Sequence, residues 1–418
     1  MVSVARQPST APSEAGAQAE APTKRARIWW LVHQWAGLKF SVLLSFILLT
    51  GTLAVFSHEM DWLMRPAMRV SPSSVAGPPD WSAIARQAAL AHPDREIQSI
   101  DAPIASAFAA TITTRRPDRG LAFLYAHPTT GAIQGEGHWV GAARVLRNMH
   151  RHLNMPVWIG VPIVSSLAFL LVVSLVTSLV VYKKWWRGFT KPIRTRNART
   201  GWGDFHRLAG AWSLWFLLLI IATSLWYLVE SVGGEAPRTP SAKAAGIEAS
   251  TSELAALLPA ALATARAADP QLEILRIGFP DDADGAFKFE GQRSAWLVRD
   301  RVNAVFVEAR TARALLVTDG GELNAHQRIS EAADPLHFGT FGDYWTKGLW
   351  FIAGCLLTAL SVSGVALYSM RLLKTKQIAG QSGSILARAW HGMSIWRYPA
   401  VALVIAGFIL LPNLWDVS

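Results

Sequence analysis

The chain has 418 residues, 51% of them hydrophobic, with 19 Trp, a mean hydropathy of +0.25 and a formal net charge of +11. Apolar content on that scale excludes an ordinary water-soluble enzyme, since it needs a solvent other than water. The basic surplus lies beside the apolar runs instead of forming a separate patch, so nucleic acid is an unneeded partner.

Residues 1–27 read as a disordered cytoplasmic tail. The first 23 are rich in Ala, Ser, Pro, Gln and Glu and lack an apolar core. No charged n-region followed by an apolar stretch and a small-residue cleavage site is present, so the first helix is expected to be its own insertion signal. Four apolar stretches, over 35–56, 157–182, 208–229 and 348–370, are long enough for a hydrocarbon core of roughly 30 Å. They give expected membrane helices over 28–57, 150–182, 206–229 and 337–370. A fifth run, 398–412, reaches spanning length only when extended back through His391 and Trp396, giving a fifth helix over 389–414.

The cations follow the helices. Lys24, Arg25 and Arg27 precede the first, a basic loop over 183–205 joins the second to the third, and Arg371, Lys374, Lys376 and Arg388 follow the fourth over 371–388. This is a positive-inside pattern with a cytoplasmic N-terminus. The long connections, 58–149 and 230–336, then lie outside. Each reads as a small α+β module. The first has a helical 81–92, strand-like 97–100, 107–114 and 121–125, and a turn at 128–131; the second has a helical 253–268, strand-like 272–279, 286–290, 295–298 and 304–308, and a turn near 311–313.

An internal repeat changes how the other residues read. His33-Gln34-Trp35-Ala36-Gly37 returns as His206-Arg207-Leu208-Ala209-Gly210, and a threonine and a small residue follow at the same distance, Thr50-Gly51 and Thr223-Ser224. The second and fourth helices are each entered through a histidine, His150 and His337, and end in similar text, 177–182 and 363–368. The chain is a tandem duplication of helix, outside module, helix, with parallel copies related by a pseudo-twofold axis along the membrane normal. That symmetry pairs His33 with His206 near the inner face and His150 with His337 near the outer face.

Neutral imidazole is a good axial ligand for haem iron, and imidazole held at membrane depth is usually tied to function. Each pair is therefore expected to clamp one haem b. Gly37 and Gly210, one turn past the inner histidines, remove a side chain that would obstruct a flat macrocycle. Arg144, Arg147 and Arg151 surround His150 as candidate partners for haem propionates. His58 and His391 rank as substitutes or neighbours, while His92, His127, His138, His152 and His326 read as surface residues or substrate contacts. The tryptophans at the helix ends read as an aromatic belt, with Trp35 or Trp212 also able to pack on a porphyrin. Gly51, Ser174, Thr177, Ser178, Gly354 and Gly364 suit close helix packing. The single cysteine, Cys355, falls in the fourth helix, which excludes a disulfide framework.

The pieces His33-Gln34-Trp35-Ala36-Gly37-Leu38, the run over 49–59, His206-Arg207-Leu208-Ala209-Gly210-Ala211-Trp212, and Leu336-His337-Phe338-Gly339 leading into Gly348-Leu349-Trp350 resemble the PepSY-associated transmembrane family. In that family two periplasmic PepSY domains are threaded between membrane helices, and its characterised members include inner-membrane ferric-siderophore reductases that bind haem. The resemblance implies a bacterial inner-membrane protein with two haem b groups and two periplasmic domains. Its substrate would be a ferric siderophore or other Fe(III) chelate, released as Fe(II). The family's third-helix Thr-Gly is Thr223-Ser224 here. No dinucleotide fingerprint or flavin domain is present, so the donor would be a cytoplasmic protein or a quinol. A rival reading is non-enzymatic: a PepSY sensor, protease inhibitor or assembly factor. A permease is disfavoured, because no inverted repeat, broken helix or buried acid and base pair marks a mid-membrane path.

Overall fold

The computed structural model describes residues 24–372 and 384–415. The expected disordered tail, apart from its last four residues, and the part of the basic loop that carries Lys374 and Lys376 lie outside the described residues. The helices in chain order are α1 (Lys24–Lys39), α2 (Ser41–Ala54), α3 (Ser57–Met64), α4 (Trp81–Ala91), α5 (Ala142–His152), α6 (Val157–Val181), α7 (Ala198–Trp212), α8 (Leu214–Ser231), α9 (Thr251–Ala268), α10 (Ala325–Phe338), α11 (Asp343–Leu372), α12 (Ile385–Gly392) and α13 (Arg397–Ile409). The strands are β1 (Glu96–Asp101), β2 (Ala110–Arg115), β3 (Leu121–Ala126), β4 (Ile133–His138), β5 (Glu273–Gly278), β6 (Ala286–Gln292), β7 (Asn303–Glu308) and β8 (Ala314–Thr318).

By length and composition α6, α8 and α11 can each cross a membrane, and two bent pairs qualify only together. One is α1 with α2, bent by 66°, so the first apolar run is not one straight helix. Phe40 leaves helical geometry at the break, and the neighbouring Lys39 ammonium donates to the Gly392 carbonyl at 2.7 Å. The other is the expected fifth helix, where the chain turns by 103° between α12 and α13 and Ser394 adopts φ 55°. Extension back through His391 therefore gives a corner, and α13 alone, at 13 residues, spans only about 20 Å.

In the bundle α6 packs against α1 and α8, and α11 against α2 and α7. Leu43, Leu44, Ile47, Leu171, Phe216, Ile221 and Leu357 fill its core. The small residues that bring α2 and α11 together are Gly354 and Thr52, where a Cβ on the glycine would lie 2.7 Å from the threonine hydroxyl.

The two modules expected as separate outside units form one antiparallel sheet of eight strands in the order β4-β3-β2-β1-β5-β6-β7-β8. The copies join edge to edge through Ser99↔Gly278, Ile100↔Ile277 and Asp101↔Arg276. Pairing these strands removes an exposed edge from each module, which is a physical reason for fusion. Both α4 and α9 pack on one face, with Ile84, Ile100, Leu258, Ile277, Phe287 and Phe289 fully buried. Local signals start these helices. Asp80 accepts from the Ala83 N–H, and Ser250 with Glu253 forms a capping box. Two strands, β4 and β8, were not expected, and residues 295–298 form no strand.

Candidate functional site

Four half-buried histidines face one another in two pairs. His33 and His206 have ring centroids 6.5 Å apart with planes at 79°, and His150 and His337 lie 6.0 Å apart at 40°. His33 sits on α1 and His206 on α7, and each helix breaks seven residues later, at Phe40 and Ser213, before α2 and α8 continue. His150 and His337 do not begin membrane helices as expected. They occupy the last turns of α5 and α10, which precede α6 and α11 and are separated from them by turns in left-handed backbone: Leu153 (φ 53°) and Asn154 (φ 55°) after α5, Gly339 (φ 69°) after α10. At Gly339 an L side chain is disfavoured twice, since a Cβ would also lie 2.5 Å from the Trp350 ring. The start of α5 is fixed from α3, where Asp61 accepts from the N–H groups of Ala142 at 2.8 Å and Ala143 at 3.0 Å.

The partners of the rings determine their chemistry. His33 bonds through Nδ1 to the Ser174 carbonyl at 3.1 Å and the Thr177 hydroxyl at 3.0 Å; His150 bonds through Nδ1 to the Ile47 carbonyl at 2.9 Å. A carbonyl only accepts, so both rings carry their proton on Nδ1. His206 bonds through Nδ1 to the Ser363 hydroxyl at 2.8 Å, and His337 to the Thr223 hydroxyl at 2.8 Å. Those hydroxyls donate within their own helices, Ser363 to the Leu360 carbonyl at 3.0 Å and Thr223 to the Leu219 carbonyl at 2.9 Å, which leaves their oxygens to accept. All four rings thus share one neutral tautomer, with Nδ1–H anchored and the Nε2 lone pair available.

Each anchor comes from the same copy of the repeat as its histidine: α6 holds His33, α11 holds His206, α2 holds His150 and α8 holds His337. Gly51 and Gly364 make room for the rings. A Cβ at Gly51 would fall 2.5 Å from His150 Cε1 and 2.7 Å from Nδ1, and one at Gly364 would fall 3.3 Å from His206 Cε1. Ser174, Thr177, Gly51 and Gly364, read from sequence as helix-packing residues, therefore surround the histidines. Thr223 and Ser363 were not singled out as anchors. The signal that could have found them is the repeated threonine or serine beside a small residue at a fixed distance from each histidine.

The separations can be compared with a shared metal. About 2 Å from metal to each imidazole nitrogen, and about 1 Å more to each ring centre, puts two rings on opposite sides of one ion about 6 Å apart. Among the described residues no group of three or more His, Cys, Asp or Glu could hold a bare metal ion. A pair of neutral imidazoles would suit a metal whose remaining ligands come from a porphyrin. Beyond its own helix backbone and chain neighbours, no atom of the described residues lies within 4 Å of where a Cβ at Gly37 would be, and at Gly210 only Leu360 side-chain atoms do, at 3.5 Å or more.

Among the described residues neither His58 nor His391 meets a second imidazole; both are exposed, on α3 and at the end of α12. Arg147 is exposed and makes no ion pair within the described chain, whereas Arg144 stacks 3.5 Å over the Trp139 ring and donates to the Trp139 carbonyl. His152, read as a surface residue, is buried. Trp35 packs on Trp396 and Trp212 on Phe189. Tyr227, also missed from sequence, packs its ring 5.3 Å from that of His337 and donates to Asp334 at 2.7 Å.

No curated protein matches the chain. The family model described as the PepSY-associated TM region matches residues 30–371, which include all four histidines and the whole sheet. The chain belongs to the PepSY-associated transmembrane family.

Proposed function

We propose that this membrane protein is an inner-membrane electron carrier that reduces an Fe(III) chelate of the ferric-siderophore class on its outer side and releases Fe(II). The observation that carries the reading is the shared anchoring: four imidazoles, each held at Nδ1, lie in two pairs with ring centroids 6.5 and 6.0 Å apart. His33 with His206, and His150 with His337, would each hold one haem b, and one-electron transfer at two depths in the membrane is the chemistry those groups supply. The protein's own part is to fix ring orientation and to keep each ring neutral, through carbonyl and hydroxyl acceptors too weak to remove the Nδ1 proton. Arg147, free of ion pairs among the described residues and three residues before His150, is suited to a propionate.

Basic segments beside the His33 and His206 end support a cytoplasmic position for that end, with the sheet then on the periplasmic side. Each chelate takes up one electron as Fe(III) becomes Fe(II), and a quinol donor, losing two electrons and two protons, would serve two chelates. A cytoplasmic redox protein is the other donor class. Hard oxygen chelators hold Fe(III), while Fe(II) stands low in the divalent affinity order, so reduction converts a held metal into a releasable one.

The test is a single turnover. Protein reduced anaerobically and freed of reductant is mixed with an Fe(III) chelate, and absorbance is followed together with a ferrous-specific dye. Reoxidation of a b-type spectrum with matching Fe(II) release is expected; a protein without that spectrum, or one that stays reduced, overturns the reading.

A further inference from the structure

An open depression of about 490 Å³ lies on the sheet face opposite α4 and α9, between β5, β6 and the short helical turn Asp300–Val302. In the first copy the same face is closed by Trp62, Met68, Phe108 and Tyr125, so the opening belongs to the second copy alone.

Its charges are layered. Glu290 lies beneath with a side chain only 10% exposed, ion-paired with Lys288 and, at 3.6 Å, with Arg276, whose side chains are 36% and 48% exposed. At the rim Glu331 is 6% exposed below Arg301 at 54%. Asp300 also lines the depression, where it accepts from the Gln292 amide at 2.5 Å, and Arg276 pairs with Asp101 at 3.0 Å as well. Glu290 and Glu331 thus serve as backing, and the lining cations Arg276, Lys288, Arg299 and Arg301 outnumber the lining carboxylates Glu290 and Asp300. Such an arrangement fits a ligand rich in anionic oxygen.

One side chain links the depression to α10, the helix that carries His337. Arg299 lines the depression and at the same time grips Glu331 at 2.6 and 2.8 Å and Asp334 at 2.9 Å, one helical turn before His337. We propose that this depression is the docking site of the chelate, and that it selects anionic chelates with carboxylate or catecholate oxygens over neutral hydroxamate ones. The assignment rests on the reductase reading for its choice of ligand.

The test separates docking from reduction by using Ga(III), which does not accept the electron. Full-length protein in nanodiscs of zwitterionic lipid is titrated with the Ga(III) complexes of a tris-catecholate, a hydroxycarboxylate and a neutral trihydroxamate. Lys288→Gln and Arg276→Gln, neither of which contacts α10, should each weaken the anionic complexes about tenfold or more, leave the trihydroxamate unchanged, and be rescued by Lys288→Arg. Equal affinity for all three complexes, or anionic binding unchanged in both variants, overturns the docking site. So does competition by anionic lipid added to the discs, which would make the depression a headgroup site. Selective binding by a protein that lacks a b-type spectrum would leave the docking site standing and remove the reductase reading. Reduction by the haem-loaded protein at rates untouched by both variants would do the reverse.

Discussion

His33 and His206 ride on helices that emerge directly from basic segments, whereas His150 and His337 sit on helices that descend from the sheet and stop at the bundle. The inner pair is consequently set by membrane helices alone: α1 against α6, α7 against α11. The His150 and His337 pair inherits its position from the sheet domain as well, through Asp61 capping α5 and Arg299 gripping α10. The two pairs nonetheless converge on one ring chemistry, an anchored Nδ1 and a free Nε2. The difference teaches that the duplication preserves the tautomer, while the scaffold that delivers it varies with the side of the membrane.

The largest expected effect breaks one pair and spares the other. His206→Ala and His337→Ala should each lose roughly half of the haem, and a double variant within one pair should lose no more than either single change, since two ligands serve one iron. Haemochrome quantitation checks this; loss of all haem from a single change would mean that the pairs are not independent.

Gly51→Leu and Gly37→Leu sharpen the comparison. The first drives a side chain into the His150 ring and should empty the outer pair with or without other changes to the bundle. The second, beyond its own helix backbone and chain neighbours, meets no atom of the described residues within 4 Å at its Cβ, so selective loss of the inner haem would report the macrocycle itself. Binding of added haemin to the two purified variants separates these outcomes, and wild-type loading of Gly37→Leu would place the porphyrin elsewhere.

A smaller effect follows from the anchors. Thr223→Val removes the one Nδ1 acceptor that His337 has among the described residues, at a cost of about 1 kcal/mol, and Ser363→Ala should cost less, because the Leu360 carbonyl also lies within reach of His206. Thr177→Val should likewise cost less, because His33 keeps the Ser174 carbonyl. Haem dissociation rates give the ranking, and a larger effect from Thr177 would contradict the assigned acceptors.

The smallest effect concerns the clasp between sheet and bundle. Burial raises the Glu331 carboxyl, but the Arg299 and Arg301 guanidiniums outweigh it and hold the group below its ordinary value. Its contribution is therefore complete above the unfolded value of about 4.3 and is lost as pH falls through the lower folded value. Thermal unfolding should be insensitive to this group from neutrality down to about pH 5 and should fall less steeply below that in Glu331→Gln. An equally steep fall in the variant would place the acid sensitivity in other carboxylates.

Much of this was legible in the sequence because membrane burial and duplication leave strong marks. The apolar runs that became α6, α8 and α11 announce themselves by length, and the matched text around His33 and His206 fixed which histidines to pair. The corners were not legible. Lys39 and Ser394 interrupt their runs through contacts with distant backbone and through a left-handed turn at a serine, neither of which periodicity records. Strand β4 escapes the pattern for a different reason: Gln134, Gly135, Glu136 and Gly137 have poor strand propensity and are held by pairing with β3. Fusion of the two modules was hidden as well, since edge pairing of β1 with β5 depends on backbone groups common to every residue. At the site the ligating residue type was readable, but the acceptors were not, because Thr177, Thr223 and Ser363 look like any small polar residue at a helix contact until the rings are placed beside them.

The most direct measurement on the central claim is a reduced-minus-oxidised absorbance spectrum of the purified wild-type protein, joined to haemochrome quantitation and low-temperature electron paramagnetic resonance. The account predicts a b-type spectrum, low-spin iron with two imidazole ligands, and two haems for each chain. A colourless protein, or iron in a high-spin state with one axial histidine, would contradict it.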